Sequence, residues 1–242
     1  MSFWRTLERQ YVKPTMRRLW PWRKRSFGGV RVHYMKDLDG GGSSFGQEYI
    51  PYLKERGMPR QTRVYEWCAG PAFIGFSLLG HGLAETRCLA DINPKAVEAC
   101  RRTIADNRLA GRVAVYHSDN LKDIPAAEQW DLVVSNPPHF VDGFIGDLRA
   151  HDLDWSIHEG FYAAVGKHLK PGGVIVIQEN NRGSTAETFR AMIERSGLKI
   201  IFVDRGAPQR TATDAFYFIG VMRAGETPPA WAMSAARTPV RG

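Results

Sequence analysis

The sequence has few of the residues that build disulfide frameworks or zinc sites. Only three of its 242 residues are cysteine, and Cys68, Cys88 and Cys100 form no Cys-x-x-Cys pair. An odd number of cysteines without metal-ligand spacing disfavours both kinds of site, so we predict no metal. The apolar runs, such as 72–79 and 174–177, are too short to span a bilayer. We therefore expect a cytoplasmic protein without a membrane span.

Acidic residues are nearly missing from the beginning of the chain. Residues 1–36 contain ten of the 33 Lys and Arg side chains but only one of the 25 acids, Glu8. The body is therefore almost neutral, and the N-terminal arm carries the excess positive charge. Such an arm can pack on the domain, cover a substrate or bind an acidic partner such as nucleic acid. Because Pro14 and Pro21 interrupt any long helix, we predict short helical pieces in residues 1–25.

Strand and helix patterns alternate along most of the remaining chain, which implies right-handed crossovers and a mostly parallel sheet with helices on both faces. We predict a doubly wound α/β fold with seven strands. A last strand at 215–222 follows without a helix, and we expect it to be antiparallel or inserted beside its neighbour. The predicted segments are a basic arm with a cap helix (1–60), a catalytic domain (61–223) and a tail (224–242). The other predicted strands are 64–67, 86–91, 112–117, 130–135, 174–178 and 199–204, and the helices are 45–56, 72–80, 94–107, 154–169 and 185–195.

The first candidate site lies where the strand 64–67 ends. Ligands of open parallel sheets bind beyond the carboxyl ends of the strands. Here Glu66 is followed by small residues from Cys68 through Gly70 to Ala72, and a helix then begins near Phe73. Small side chains permit a close approach of backbone and ligand, although a tight turn without a ligand has the same composition. Cys68 and Ala72 stand where such loops often have glycine.

The next two strand ends also carry polar residues. Asp91 can accept both hydroxyls of a ribose, and Ile92 beside it is expected to contact the same ligand. Asn93 followed by proline is a better helix cap than Asp91, which favours the ligand role. Asp119 and Asn120 can accept the exocyclic amine of adenine, but taken alone an ordinary turn explains them better.

The most specific pattern is Asn136-Pro137-Pro138-His139, directly after the strand 130–135. Two prolines fix φ and remove two backbone donors, which leaves an extended segment. The side-chain oxygen of Asn136 and the carbonyl of Pro137 can then both accept hydrogens from one NH2 group. That arrangement aims a nitrogen lone pair at an electrophile. The alternative is a rigid loop without catalytic function.

Taken together, these motifs resemble the class I S-adenosylmethionine-dependent methyltransferases that carry an Asn-Pro-Pro-aromatic tetrapeptide, over roughly residues 62–220. The resemblance implies S-adenosylmethionine as cofactor. It also implies that residues 66–72 cradle the methionine moiety, Asp91 binds the ribose and Asp119 approaches adenine. Asn136 and Pro137 would hold the target nitrogen. His139 replaces the usual aromatic ring and can stack or accept a proton, while Phe140 can supply the ring instead.

The expected reaction is methyl transfer to a nitrogen of a small-molecule amine or amide, because the body is neutral and no separate recognition domain is evident. Three alternatives remain open. The enzyme can alkylate the cofactor's own amine to give an azetidine ring and methylthioadenosine, methylate a nucleic-acid base or protein through the basic arm, or bind the cofactor without catalysis. Phe45, Gln47 and Tyr49 are expected to form a substrate wall together with Phe140. The sequence patterns do not indicate whether the protein is a monomer or an oligomer.

Overall fold

The structure is a computed structural model that describes residues 21–38, 45–141, 151–205 and 216–234, with only the backbone for 45–47. The helical pieces predicted within residues 1–20 and the end of the tail lie outside these ranges. Among the described residues, no helix combines the length and the apolar character needed to cross a membrane.

A central seven-stranded sheet organises the chain. Its strand order is β5-β4-β3-β6-β7-β9-β8. The pairs from β5 to β7 are parallel, whereas β9 is antiparallel to both of its neighbours. The predicted doubly wound fold is thereby confirmed, including the last strand inserted beside its neighbour. The strands are β3 (Gln61–Trp67), β4 (Ala84–Asp91), β5 (Val113–His117), β6 (Trp130–Ser135), β7 (Leu169–Asn180), β8 (Leu198–Arg205) and β9 (Phe216–Arg223).

Helices cover both faces of the sheet because its strands bury alternate residues on opposite sides. On one face Tyr65 and Val133 pack against α4 and α5, and on the other Val64 and Leu132 pack against α1 and α2. The helices are α1 (Phe45–Glu55), α2 (Phe73–Gly80), α3 (Pro94–Asp106), α4 (Ser156–Val165), α5 (Ala186–Arg195) and α6 (Ala230–Met233).

The predicted helix 154–169 is too long. Short 3-10 segments flank α4 at Leu153–Trp155 and Gly166–His168, and β7 already begins at Leu169. The sequence Lys170-Pro171-Gly172-Gly173, which separates the predicted helix 154–169 from the predicted strand 174–178, lies within β7 instead. Its pairing with β6 shifts register between Trp130 and Leu132, which accommodates the proline and the glycines.

The helical interpretation of residues 22–25 is wrong. They belong to β1 (Trp22–Phe27), which forms an antiparallel ribbon with β2 (Val30–Met35). Gly28 and Gly29 connect the two strands with φ values of 53° and 90°, the conformation that two-residue hairpins require. Val32 is fully buried and packs in the cluster that contains Phe73 of α2.

The described part of the predicted tail packs against the rest of the domain. Trp231 of α6 is buried in the cluster beneath α1 and α2. Arg56 donates a hydrogen bond of 2.6 Å to the carbonyl of Ala232, and Ser234 donates one of 2.6 Å to the carbonyl of Arg56. Residues 230–234 are therefore fastened to the end of α1.

Candidate active site

A cleft of about 490 Å³ opens at the carboxyl ends of β3 to β7. Its volume lies within the range of roughly 300–1,000 Å³ that is typical of small-molecule sites. The fold brings nearly all of the sequence-predicted site residues to this one place. Those that line the cleft are Glu66, Cys68, Gly70, Phe73, Asp91, Ile92, Asp119, Asn120, Asn136, Pro137, Pro138, His139 and Phe140.

The loop after β3 turns sharply through left-handed backbone conformations. Cys68, Gly70 and Ala72 have φ values of 49°, 52° and 60°, which only glycine adopts without cost. This geometry explains why glycine is usual at the positions of Cys68 and Ala72. Ala72 is fully buried among the residues that hold the β1–β2 ribbon. It shapes the loop but, against the prediction, does not line the cleft.

Glu66 is buried at the bottom of the cleft, with 2% of its surface exposed. Its Oε2 accepts a hydrogen bond of 2.6 Å from the backbone nitrogen of Gly75. Gly75 lets the carboxylate approach the backbone, since a Cβ there would collide with the same oxygen and with the side chain of Leu89. Burial raises the pKa of Glu66 to about 8, because the charged form loses its hydration.

Asp91 ties the loop after β3 to the loop after β4. Its Oδ2 accepts from the nitrogen of Gly70 at 2.7 Å, and its Oδ1 accepts from the nitrogen of Asn93 at 2.8 Å. Each carboxylate oxygen keeps a second lone pair that can accept from a ligand hydroxyl. Asn93 caps α3, as predicted, by accepting from the nitrogen of Lys95. Ile92 is 63% exposed beside Asp91 and offers an apolar surface to the cleft.

The turn after β5 supplies a further acceptor. The side-chain amide of Asn120 donates to the carbonyl of Ile157 at 2.8 Å, whereas its Oδ1 is buried without a hydrogen-bond partner among the described residues. Buried acceptors of this kind are rare unless a ligand or water completes them. Asp119 is more exposed and forms an ion pair with Lys122.

The segment 136–139 leaves the end of β6 without forming a helix or a strand. The Asn136 side-chain oxygen lies 2.9 Å from Nε2 of His139, and Nδ1 of His139 lies 3.2 Å from Oε2 of Glu179. The turn after β7 supports this segment from below. A Cβ at Gly183 would collide with the carbonyl oxygen of His139, so that turn packs directly on this segment.

Several residues of the site were missed by the sequence reasoning. Glu179 and Asn180 end β7 in the same way that Glu66 and Asp91 end their strands, but the predicted strand stopped at Gln178. Asn180 lines the cleft. His158 lies on α4 and comes within 2.9 Å of Glu179. No sequence pattern indicated that contact, because folding alone brings the two segments together.

The predicted substrate wall is only partly in place. Phe140 lines the cleft, while the side chains of Phe45 and Gln47 lie outside the described part. Tyr49 is fully buried beneath the sheet, where its hydroxyl donates to the carbonyls of Ser135 and Val176 at 2.6 and 3.1 Å. These bonds hold the hydroxyl of Tyr49 against β6 and β7, so its predicted role in substrate binding is wrong.

A seven-stranded sheet of this order, with a cleft at the ends of its parallel strands, defines the class I S-adenosylmethionine-dependent methyltransferases. The family model of the methyltransferase small domain matches residues 42–198. The chain belongs to this family, and its cofactor is S-adenosylmethionine.

Similar proteins carry methyltransferase names. A release factor glutamine methyltransferase of Clostridium acetobutylicum is 29% identical over 133 residues, which cover 48% of this chain and 46% of that protein. A ribosomal RNA small subunit methyltransferase C of Actinobacillus pleuropneumoniae serotype 7 is 34% identical over 118 residues, covering 49% of this chain and 32% of that protein. The chain thus spans less than half the length of these two relatives.

Among solved structures, the T. thermophilus 16S rRNA N2 G1207 methyltransferase in complex with AdoMet and guanosine superposes with a TM-score of 0.57. It is 16% identical, and the superposition covers 84% of this chain and 51% of that one. At this level of identity the similarity concerns the fold.

The charge of the cleft fits the cofactor. Its lining includes the carboxyl groups of Glu66, Asp91 and Asp119, and none of the described residues that line it is Lys or Arg. A permanently positive sulfonium is stabilised by such surroundings. These acids, with the nitrogens and small residues of the loop after β3, are the groups that would hold S-adenosylmethionine.

Affinity for the cofactor is expected to rise with pH. In the free protein the pKa of Glu66 is about 8, so the side chain is largely neutral below that pH and ionises above it. Only the ionised form attracts a cation. The Kd for S-adenosylmethionine should therefore fall up to about tenfold between roughly pH 6.5 and 9, as measured by isothermal titration calorimetry. The control is Glu66→Gln, which keeps only the pH dependence of the cofactor itself. An equally steep dependence in this variant would contradict the assignment.

Proposed function

We propose that the protein transfers the methyl group of S-adenosylmethionine to a nitrogen atom held by Asn136 and Pro137. The observation that carries this proposal is the position of the Asn136-Pro137-Pro138 segment, which forms neither helix nor strand, in the lining of an acidic, cofactor-sized cleft. When bound, the cofactor supplies an electrophilic methyl carbon on a positively charged sulfur.

The chain contributes mainly orientation. The side-chain oxygen of Asn136 and the carbonyl of Pro137 accept the two hydrogens of one NH2 group, which points its lone pair towards the methyl donor. Correct placement of two reactants lowers the barrier because their relative motion no longer has to be lost in the transition state. The proton that the nitrogen releases passes to solvent after the transfer, while His139 is buried beside Asn136 and contacts its side chain.

A planar amide or amine NH2 is the acceptor group that this geometry favours, because it can donate to both oxygens at once. The sequence favoured a small molecule as its carrier. The relatives named above give that expectation no support, since their names refer to ribosomal RNA and to a glutamine of a release factor. They also do not favour cyclisation of the cofactor or binding without catalysis.

Nucleic acid is the second candidate for the carrier, and the β1–β2 ribbon supports it. Arg23, Lys24 and Arg25 follow one another on β1 with exposed side chains, and Arg31 of β2 is also exposed. A stripe of cations of this kind binds phosphates with a strong salt dependence. Lys24 and Arg31 share Asp106 of α3 as a partner, which holds the ribbon on the domain.

The test is an acceptor screen read by mass spectrometry. The protein is incubated with labelled S-adenosylmethionine and, separately, with RNA, with glutamine-containing protein and with a pool of small amines and amides. We expect S-adenosylhomocysteine to form only with an acceptor, and the label to appear on its nitrogen. Methylthioadenosine formed without any acceptor would instead indicate cyclisation, and no turnover in any mixture would indicate a binding protein.

A further inference from the structure

A row of hydrogen-bonded side chains runs from the cleft into the interior. Asn136 contacts His139, His139 contacts Glu179, Glu179 contacts His158, and His158 contacts Asp152, at 2.9, 3.2, 2.9 and 2.6 Å. The last three side chains are completely buried, and His139 is 10% exposed. Each contact joins an imidazole nitrogen to an oxygen, so the protons within the row depend on one another.

The inner members of the row have defined charges. Burial opposes ionisation of His158, but the negative charge of Glu179 and the hydrogen bonds that His158 donates to both carboxylates outweigh it and raise the pKa of His158 to about 9. Burial likewise opposes ionisation of Glu179, but the charge of His158 and hydrogen bonds from the two histidines lower its pKa. His158 therefore donates from both ring nitrogens, and Glu179 is left as an acceptor only.

This arrangement decides which nitrogen of a neutral His139 carries the proton. A neutral imidazole has one N–H and one bare nitrogen. Since Oε2 of Glu179 can only accept, Nδ1 of His139 must be the donor, and Nε2 is left bare. The bare Nε2 faces the side-chain amide of Asn136 and can accept only from its NH2 group.

The orientation of the Asn136 amide follows. Oδ1 lies 2.9 Å from Nε2 of His139, and a half-turn of the planar amide exchanges oxygen and NH2 with little movement of either atom. With the NH2 group on Nε2, the oxygen points away from His139, towards the side where an acceptor nitrogen has to bind.

We infer that Glu179 is a positioning residue for methyl transfer: through the tautomer of His139 it turns the oxygen of Asn136 towards the acceptor nitrogen. His158 and Asp152 support it from within the core. The inference rests on the proposed function, because it assigns a purpose to the contact between Asn136 and the acceptor.

The first test is the tautomer itself, read from the nitrogen-15 shifts of His139 in the full-length protein without cofactor and with S-adenosylhomocysteine. We expect a protonated Nδ1 and a bare Nε2 in both. A protonated Nε2 would overturn the inference, whether Nδ1 is bare or protonated as well. This measurement needs no variant, so it decides the question even if substitutions in the row prevent folding.

The second test is Glu179→Gln. His158 donates to the new side-chain oxygen, so the new NH2 group faces Nδ1 of His139 and forces the proton onto Nε2. Nε2 then donates to the oxygen of Asn136, so the NH2 group of Asn136 faces the acceptor. There it meets the NH2 group of the acceptor, and two donors cannot form a hydrogen bond. We expect the opposite tautomer and a kcat lower by about tenfold to 100-fold, with little change in cofactor Kd. A lower kcat without a change of tautomer would overturn the inference.

A double variant separates this role from simple damage. In Glu179→Gln combined with Asn136→Asp, the carboxylate accepts from His139 with one oxygen and from the acceptor with the other, and the formal charge equals that of the wild type. We expect kcat to recover about tenfold over Glu179→Gln alone. No recovery would indicate that the loss was structural and would contradict the inference.

Glu128→Gln is the matched control. This carboxylate is also largely buried and accepts from Arg63 and Trp130, and none of the three lines the cleft. We expect lower stability with unchanged kcat and unchanged His139 tautomer. Activity lost in Asn136→Ala but retained in Glu179→Gln would refute only the positioning role, whereas activity retained in Asn136→Ala would refute the proposed function.

Discussion

Asn136→Ala is expected to lower kcat by about 1,000-fold or more, with the Kd for S-adenosylmethionine changed by less than about tenfold. The substitution removes one of the two oxygens that orient the acceptor. Cofactor contacts from the loops after β3, β4 and β5 stay in place, because those loops are held by their own bonds, such as that from Gly70 to Asp91. Steady-state kinetics and calorimetric titration measure the two quantities separately.

Asn107→Ala is the control for this substitution. The Asn107 side chain makes three hydrogen bonds, accepting from the nitrogen of Arg31 and donating to the carbonyls of Arg31 and Thr103. It holds the β1–β2 ribbon on α3 and does not line the cleft. We expect a less stable protein with normal kcat. If Asn136→Ala retained kcat within about tenfold of the wild type, the motif would have no catalytic role.

Asp152→Ala should lower the free energy of unfolding by about 3–5 kcal/mol, as is typical when one partner of a buried ion pair is removed. The substitution leaves His158 with a buried charge and only Glu179 to balance it. It also removes the acceptor for the backbone nitrogens of Ile157 and His158, at 2.8 and 3.0 Å, in the first turn of α4. Urea unfolding followed by circular dichroism measures the change.

The control lies on the same helix. Glu159 is 60% exposed in its ion pair with Arg195, and exposed pairs contribute about 1 kcal/mol or less. Glu159→Ala should therefore change the free energy of unfolding by less than about 1 kcal/mol. Equal losses from the two substitutions would contradict a special role for the buried row.

The stability lost in Asp152→Ala should itself depend on pH. The pKa of His158 is about 9 in the folded protein, against an ordinary value of 6.5. The stabilisation linked to its charge is fully present below about pH 6.5 and is lost as pH rises through 9. The difference in unfolding free energy between wild type and variant should therefore shrink over this interval, and a constant difference would exclude His158 as the linked group.

Sequence patterns were sufficient where each residue's environment was set locally. The strand β6 was predicted with its observed bounds, because Leu132 to Val134 is an apolar run and two prolines follow shortly after it, at positions 137 and 138. Asp91 and Asn136 were placed in one cleft because the ends of parallel strands meet at one edge of the sheet. That inference needed only the alternation of strands and helices.

The errors came from competing local signals. Pro171, Gly172 and Gly173 are typical of a turn, but Leu169 and Val174 on either side of them pair with β6 and keep them within β7. Pairing with β9 carries the strand on to Asn180. Gly28-Gly29 is typical of a hairpin, but Pro14 and Pro21 in the same arm favour short helical pieces. In the sequence, the aromatic ring of Tyr49 is equally compatible with a substrate wall and with the core. Only the fold shows that its hydroxyl lies beneath the sheet.

The row from Asn136 to Asp152 could not be predicted. Its members come from the loop after β6, the end of β7 and the beginning of α4, and they meet only after the sheet has formed. A histidine at the fourth motif position therefore had no visible partner in the sequence. In the structure that histidine is one end of a buried network.

The absence of a side chain at Gly183 has a consequence for the evolution of acceptor choice. Because the turn 181–184 rests directly on the carbonyl of His139 and on the ring of Phe140, those two pieces of chain must shift together. A substitution in that turn would thus change the shape of the acceptor side of the cleft through these two contacts. If Asn136 and Pro137 hold the acceptor, the choice of acceptor can change through a segment more than 40 residues further along the chain, without a change in the tetrapeptide.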